Sequence, residues 1–281
     1  GACVLAVLFS KKVQLEGEAW DVFPAPSKPD LYPNAGNAMD SPWHHAKAEI
    51  SEKLGEMTRV SYINPGRRND AHIAGIRSLD DPKATAVNLG VTGPKYSALV
   101  DRILAANRTS EVEIVLPKRV HVGESEWRHP KPVEFFVDFE TVNNANDDFS
   151  KFPFVGGLPL IFMIGCGHIE NGNWVFKQFT TTRLSNAAEA DVIDQWASHM
   201  TEISGGRESV VYHWSQAERS NLENSYSNAR DRHPDRNWPW LEWFDLYQEV
   251  FYAEPVGVKN AYGLGLKAIA KAMKSHGLID T

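Results

Sequence analysis

Cysteine is scarce in this sequence. Only Cys3 and Cys166 occur among 281 residues, too few for an all-cysteine zinc site or a disulfide framework, which points to a reducing, cytoplasmic compartment. Long apolar runs are lacking as well. The stretch from Ala2 to Phe9 falls far short of the roughly 20 residues that a bilayer span needs. Lys11 and Lys12 follow this run, whereas a signal peptide has its basic residues ahead of the apolar segment. Neither a membrane span nor a signal peptide is expected. Because the chain opens on Gly1 without Met, it reads as a fragment of a longer protein, with Ala2 to Phe9 as a piece of buried helix or strand. No internal repeat or low-complexity tract stands out.

What is present is a folding composition. Hydrophobic residues make up 42% and charged residues 23%, with 9 Trp and 13 Phe, which excludes wholesale disorder. The net charge of −7 argues against a surface coated in basic residues for nucleic acid. The deficit is not uniform: residues 1–130 carry 16 Lys+Arg against 16 Asp+Glu, and residues 131–281 carry 13 against 20. The second half could therefore hold cations or present a solvated acidic surface.

Punctuation along the chain suggests three parts. Residues 1–42 read as the remnant of an upstream domain plus a linker rich in Pro, Asn, Gly and Ser from Phe23 to Pro42. Residues 43–131 read as a smaller, mainly helical segment. It opens with a helix over Trp43 to Leu54, capped by Ser41 with Pro42 first, and continues with two short helices punctuated by Gly75, Gly90 and Gly93. Residues 132–281 read as an α/β domain. Strands are expected at Val133 to Glu140, Pro159 to Ile169 and Trp174 to Phe179, the last two joined across Asn171-Gly172, a two-residue hairpin signal. A helix capped by Asn186 with Glu189 three residues on, a strand at Val210 to Trp214 and a further helix from about Ser215 complete the order. The first three strands read as a meander and the fourth as returned by a helix.

Within EFFVDFET, strand alternation points Phe135, Val137 and Phe139 one way and Phe136, Asp138 and Glu140 the other. Two carboxylates about 6.6 Å apart along one strand face repel each other, and a divalent cation removes that penalty. Exposure to water at a strand end removes it too. In VVYHWSQAERSNL, Glu218 falls on the first turn of a helix, either as a ligand or as the partner of Ser215 in a capping box. His213, just before it, could be a core residue or an accessory to a site.

Taken in order, these pieces resemble the ribonuclease H-like DEDD exonucleases. The resemblance is greatest to the YprB-type ribonuclease H-like domain of predicted RecB-family nucleases, and it runs from Pro132 to the end. Asp138 and Glu140 match the first acidic motif within VDFET. Glu218 takes the place of a second-motif acid that is an Asp in most such enzymes. Asp245, in WFDLYQEVF, and Lys267, in GLGLKAIAKAM, match stretches that precede the final motif. That final motif, a Tyr or His followed by Asp, is missing after Lys267, so a fourth carboxylate is expected downstream. The resemblance implies a ribonuclease H-like mixed sheet flanked by helices and 3′-to-5′ exonuclease activity on DNA or RNA. It also implies two Mg2+ or Mn2+ ions held by Asp138, Glu140 and Glu218.

In the segment 43–131, AHIAGIRSLDD and NLGVTGPKYSALVDRIL look like degenerate helix-hairpin-helix elements. Gly90, Gly93 and Lys95 would meet a phosphate there, or form an ordinary Gly-Pro helix start. The opening residues to about Trp20 are placed like the tail of an upstream RecB-type nuclease domain, with no catalytic signature of one. Two other readings compete with the nuclease. One is the same fold kept as a nucleic-acid-binding module with its chemistry lost. The other is an interaction scaffold presenting Trp238, Trp240 and Trp243.

Overall fold

Several helices in this protein begin at a capping side chain or a proline and stop at a glycine, as the sequence chemistry leads one to expect. The computed structural model describes residues 2–37, 39–108, 113–123, 127–142, 160–214 and 221–280. Contacts divide the chain into two units, one formed by Gly1–Lys118 with Pro255–Thr281 and the other by Arg119–Glu254. These divisions differ from the boundaries expected near residues 42 and 131. The last 27 residues group with the amino-terminal helices, because a short strand near residue 257 pairs back onto that unit.

The first unit contains helices α1 (Ala2–Glu16), α2 (His44–Lys53), α3 (Pro65–Ile73) and α4 (Pro94–Arg108) and strand β1 (Val115–Leu116). The α1 segment is helical as its composition allows, yet Val4, Val7, Leu8 and Leu15 are exposed, so the expected burial does not hold. A helix closes its own hydrogen bonds locally, but burial needs a partner surface, and the main contacts of α1 are with the turn Gly17–Ala19 that follows it. Helix α2 starts at His44 without a side-chain cap. Instead of Ser41 capping, Trp43 N–H donates to Asp40 O at 2.8 Å, and the residues between form a turn. Helix α3 follows the sequence rules closely: Asn64 Oδ1 accepts from Arg67 N–H, Pro65 is first, and Gly75 closes the end at φ 84°.

The second unit contains β2 (Val133–Val142), β3 (Leu160–Glu170), β4 (Asn173–Thr180), α5 (Asn186–Ser204), β5 (Ser209–His213), α6 (Asn221–Arg232) and β6 (Trp243–Asp245), followed by a π-helical turn, Tyr247–Tyr252. The chain then re-enters the first unit as β7 (Gly257–Val258), antiparallel to β1, and α7 (Leu266–Ser275).

The sheet of the second unit is mixed and five-stranded, in the order β4-β3-β2-β5-β6. Strands β2, β3 and β4 form an antiparallel meander, whereas β5 and β6 run parallel to β2. The hairpin signal between β3 and β4 is realised as a two-residue turn, Asn171 at φ 51° and Gly172 at φ 79°. One sheet face is core: Phe135, Val137, Phe139, Ile164, Cys166 and Val211 pack against Ile193 and Trp196 of α5 and against α6. Burial pushes the Cys166 thiol up to about 11, so it remains protonated and inert near neutrality.

Helix α5 departs from its expected start. Ser185, not Asn186, is the cap, accepting from Ala188 N–H, and Glu189 does not close a capping box. Its carboxylate is buried, with 1% of the side chain exposed. There it accepts from Ile161 N–H at 2.8 Å and from Arg232 Nε and Nη2 at 3.0 and 2.7 Å, with His233 Nε2 at 3.0 Å. One carboxylate thus ties the start of β3, the first turn of α5 and the end of α6 together. Among the described residues no helix is long and apolar enough to cross a membrane.

Two outcomes follow for stability. Removing one partner of a buried pair leaves the other charge uncompensated. Glu189→Ala is therefore expected to cost about 3–5 kcal/mol in urea unfolding, and a cost below about 1 kcal/mol would contradict the network. His199 of α5 is held below the ordinary imidazole range, first by burial and then by Lys177 and His168, with Glu202 opposing. An imidazole lowered in the folded state contributes stability that is present above its unfolded pKa and is lost as the pH falls below about 6.5. The unfolding midpoint should fall from pH 7 to pH 5, and His199→Gln should flatten that slope.

Candidate functional site

The period-two pattern of β2 determines which side chains leave the core. Val133, Phe135, Val137 and Phe139 are buried, Phe136 is half-buried, and Asp138 and Glu140 are exposed. Asp138 lies opposite Gly165 of β3 and Glu140 opposite Met163, and the register shifts between Glu140 and Thr141. The shift leaves Phe162 of β3 without a register partner on β2, an irregularity beside the second carboxylate. Asp138 Oδ1 accepts from the adjacent Phe139 N–H at 3.0 Å, and no cationic side chain among the described residues pairs with either carboxylate.

The same face carries a row of aromatic rings. Phe176 of β4, Gly167 of β3, Phe136 of β2, Tyr212 of β5 and Phe244 of β6 are successive register partners. Phe136 stacks on Tyr212 at 5.4 Å between ring centroids, Tyr212 meets Phe244 edge-on at 5.5 Å, and Trp174 is tilted against Phe136 at 5.6 Å. The glycines of β3 form the floor under the rings. A Cβ on Gly167 would lie 2.1 Å from Trp174 Cζ2, and one on Gly165 would lie 3.1 Å from Phe176 Cζ. Trp174 and Phe176 remain 56% and 58% exposed. This row is absent from the expected site, although the alternation that pairs Phe136 with Asp138 and the Gly-x-Gly of β3 carries its signal.

Other expected site residues fall elsewhere. Register places His213 beside Asp245 on the face of Val211, opposite to that of Asp138. His213 Nε2 lies 3.4 Å from Glu223 of α6. Asp245 is buried, and its Oδ1 accepts from Tyr247 and Gln248 N–H, capping the π-helical turn. These two residues support β5 and β6 from the covered face. Lys267 is exposed on α7 in the first unit. Glu218 lies outside the described residues. Among the described residues no group of three or more His, Cys, Asp or Glu could hold a metal ion.

In the first unit, Gly90 closes a turn at φ 77°, where Val91 N–H donates to Ala86 O at 2.8 Å. Gly93 precedes Pro94, accepts from Ser97 N–H at 2.7 Å and lies against the ring of Tyr96. Lys95 is exposed on the first turn of α4. The three residues are thus gathered at one helix start, with Tyr62, at φ 72°, meeting Tyr96 edge-on at 4.9 Å. Of the three tryptophans of the scaffold reading, Trp238 and Trp243 pack within the core of the second unit, and Trp240 is 86% exposed under the Arg230 guanidinium.

No protein-family model matches this chain, and a search of curated proteins finds no match. If Asp138 and Glu140 serve a site and not the fold, neutralising them should leave stability intact. Asp138→Asn and Glu140→Gln are each expected to change the unfolding free energy by less than about 0.5 kcal/mol. A loss of several kcal/mol in either variant would make that residue structural.

Proposed function

We propose that the protein is a metal-dependent nuclease of ribonuclease H-like architecture. The observation that carries this reading is the exposed pair Asp138 and Glu140 on the central strand of a mixed sheet ordered β4-β3-β2-β5-β6. A strand carrying the acids, an antiparallel hairpin, a helix and then a parallel strand is the order that the sequence resemblance implies. Uncharged alternatives at these positions would spare the strand their mutual repulsion, so the pair fits a cation.

The donor set suits a hard ion. Carboxylate oxygens with no competing cation among the described residues match Mg2+ or Mn2+ better than softer metals. Asp138 and Glu140 would hold the ions from the sheet, and Glu218 would complete the set from the segment after β5. When bound, such ions supply Lewis acidity toward a phosphodiester and lower the pKa of a coordinated water. The chain's own residues position the substrate. Phe136, Trp174 and Phe176 offer ring faces beside the carboxylates on which unpaired bases of DNA or RNA can stack, each such stacking interaction being worth about 1–3 kcal/mol. Ends of single strands therefore suit this face better than a continuous duplex, in keeping with a 3′-to-5′ exonuclease.

A second reading, a binding module without chemistry, is favoured by Glu218 standing where most such enzymes have Asp and by the final motif missing after Lys267. A cleavage assay with end-labelled single-stranded DNA and RNA in Mn2+ separates the two. Wild-type protein should cleave weakly, as expected of a site short of its fourth carboxylate, Asp138→Asn should abolish that cleavage, and Glu218→Gln should lose it at unchanged thermal stability. Binding without Mn2+-dependent cleavage would leave the module. Full activity in Glu218→Gln would remove Glu218 from the site.

A further inference from the structure

Charge is divided between the two units. The first has 18 Lys+Arg against 15 Asp+Glu, and the second has 11 against 21. The most one-sided element of the first unit is α7. Its ten residues, LKAIAKAMKS, contain no acid, and Lys267, Lys271 and Lys274 are all exposed. Spaced by four and three residues at ~100° per residue, they fall within about 60° of one another around the helix axis. Ile269 and Ala272 are buried on the opposite side.

This arrangement is electrostatically unfavourable for the isolated helix. Like charges three and four residues apart destabilise a helix by about 0.2–0.5 kcal/mol per pair. Lys267 also sits in the first turn, where the positive end of the helix dipole opposes a cation, and Gly265 supplies no side-chain cap. No ion pair joins any of the three lysines to a described residue. A surface serving only solubility would interleave acids here, as α2 does with Lys47, Glu49, Glu52 and Lys53. An extended polyanion relieves all of these costs together.

We propose that the exposed face of α7 binds the phosphate backbone of single-stranded nucleic acid through Lys267, Lys271 and Lys274. The stripe is about 10 Å long and presents three ammonium groups on flexible side chains, which can reach two or three successive phosphates of one strand. The choice of nucleic acid over other polyanions rests on the nuclease reading. The surface itself does not depend on the carboxylate pair.

The test is fluorescence anisotropy of the full chain with a labelled 20-nucleotide single-stranded DNA in EDTA, over a series of salt concentrations. Replacing Lys267, Lys271 and Lys274 together by Gln should weaken binding at low salt by tenfold or more. It should also reduce the slope of log affinity against log salt by about 2, at ~0.7 for each single-strand phosphate that the protein no longer neutralises. A control triple replacement with the same charge change, Lys11, Lys12 and Lys83 to Gln, should bind like wild type. Thermal stability of the stripe variant should hold or rise, because repulsion is removed. Unchanged affinity and slope in the stripe variant, an equal loss in the control, or no binding by wild type would each overturn the proposal. So would a loss confined to phosphatidylserine vesicles with DNA binding retained, which would assign the stripe to a membrane surface. Absence of Mn2+-dependent cleavage with DNA binding intact would count against the nuclease reading alone.

Discussion

The carboxylate of Glu189 is where the second unit is held together. Buried among apolar side chains, it is satisfied by the amide of Ile161 and the fork of Arg232, with His233 closing the remaining side. Because its partners come from β3 and from the end of α6, both helices are fixed on the same sheet face and packed there as a pair. Such a group is costly unless every lone pair is used. Its geometry therefore admits one arrangement of strand and helices and penalises sliding of either helix.

With both helices committed to one face, the other is left to the side chains of alternate residues. The division starts on β2, where one strand supplies a core of Phe and Val and an outward set of Phe136, Asp138 and Glu140. Aromatic rings over a glycine floor give that outer surface a flat, partly apolar character beside a concentrated negative charge. The acidic balance of the second unit and the basic balance of the first follow the same separation of tasks, with the proposed metal ligands on one and the proposed phosphate-binding lysines on the other.

Much of this was legible in the residues. The alternation of EFFVDFET, the Asn-Gly turn and the sequence of strands follow from period and turn chemistry, which are local properties. What escaped was decided at long range. Glu189 has the spacing of a capping-box acid, but a neutralising partner 43 residues further on draws it into the core. Asp245 has the motif context of a site residue, but register turns it toward the covered face, where nearby amides use it as a cap. The apolar run of α1 leaves helix and strand open and predicts burial where Val4, Val7 and Leu8 are exposed, since burial depends on a partner that composition does not specify. The grouping of the final residues with the first unit rests on packing of β7 against α4 and a two-residue pairing with β1, neither of which leaves a local pattern.

The Asn171-Gly172 turn has a chemical consequence of its own. A glycine after an asparagine leaves the side-chain amide open to attack by the next backbone nitrogen, and both turn residues here are solvent-exposed. Asparagine is among the thermolabile residues for this reason. Rearrangement to isoaspartate would lengthen the two-residue turn by one backbone atom. The pairing of Gly167 with Phe176 lies only a few residues away, and a strand slipped by one position turns its outward residues inward. Slow ageing at one exposed turn would thus reach the aromatic surface beside Asp138 without any change to the core.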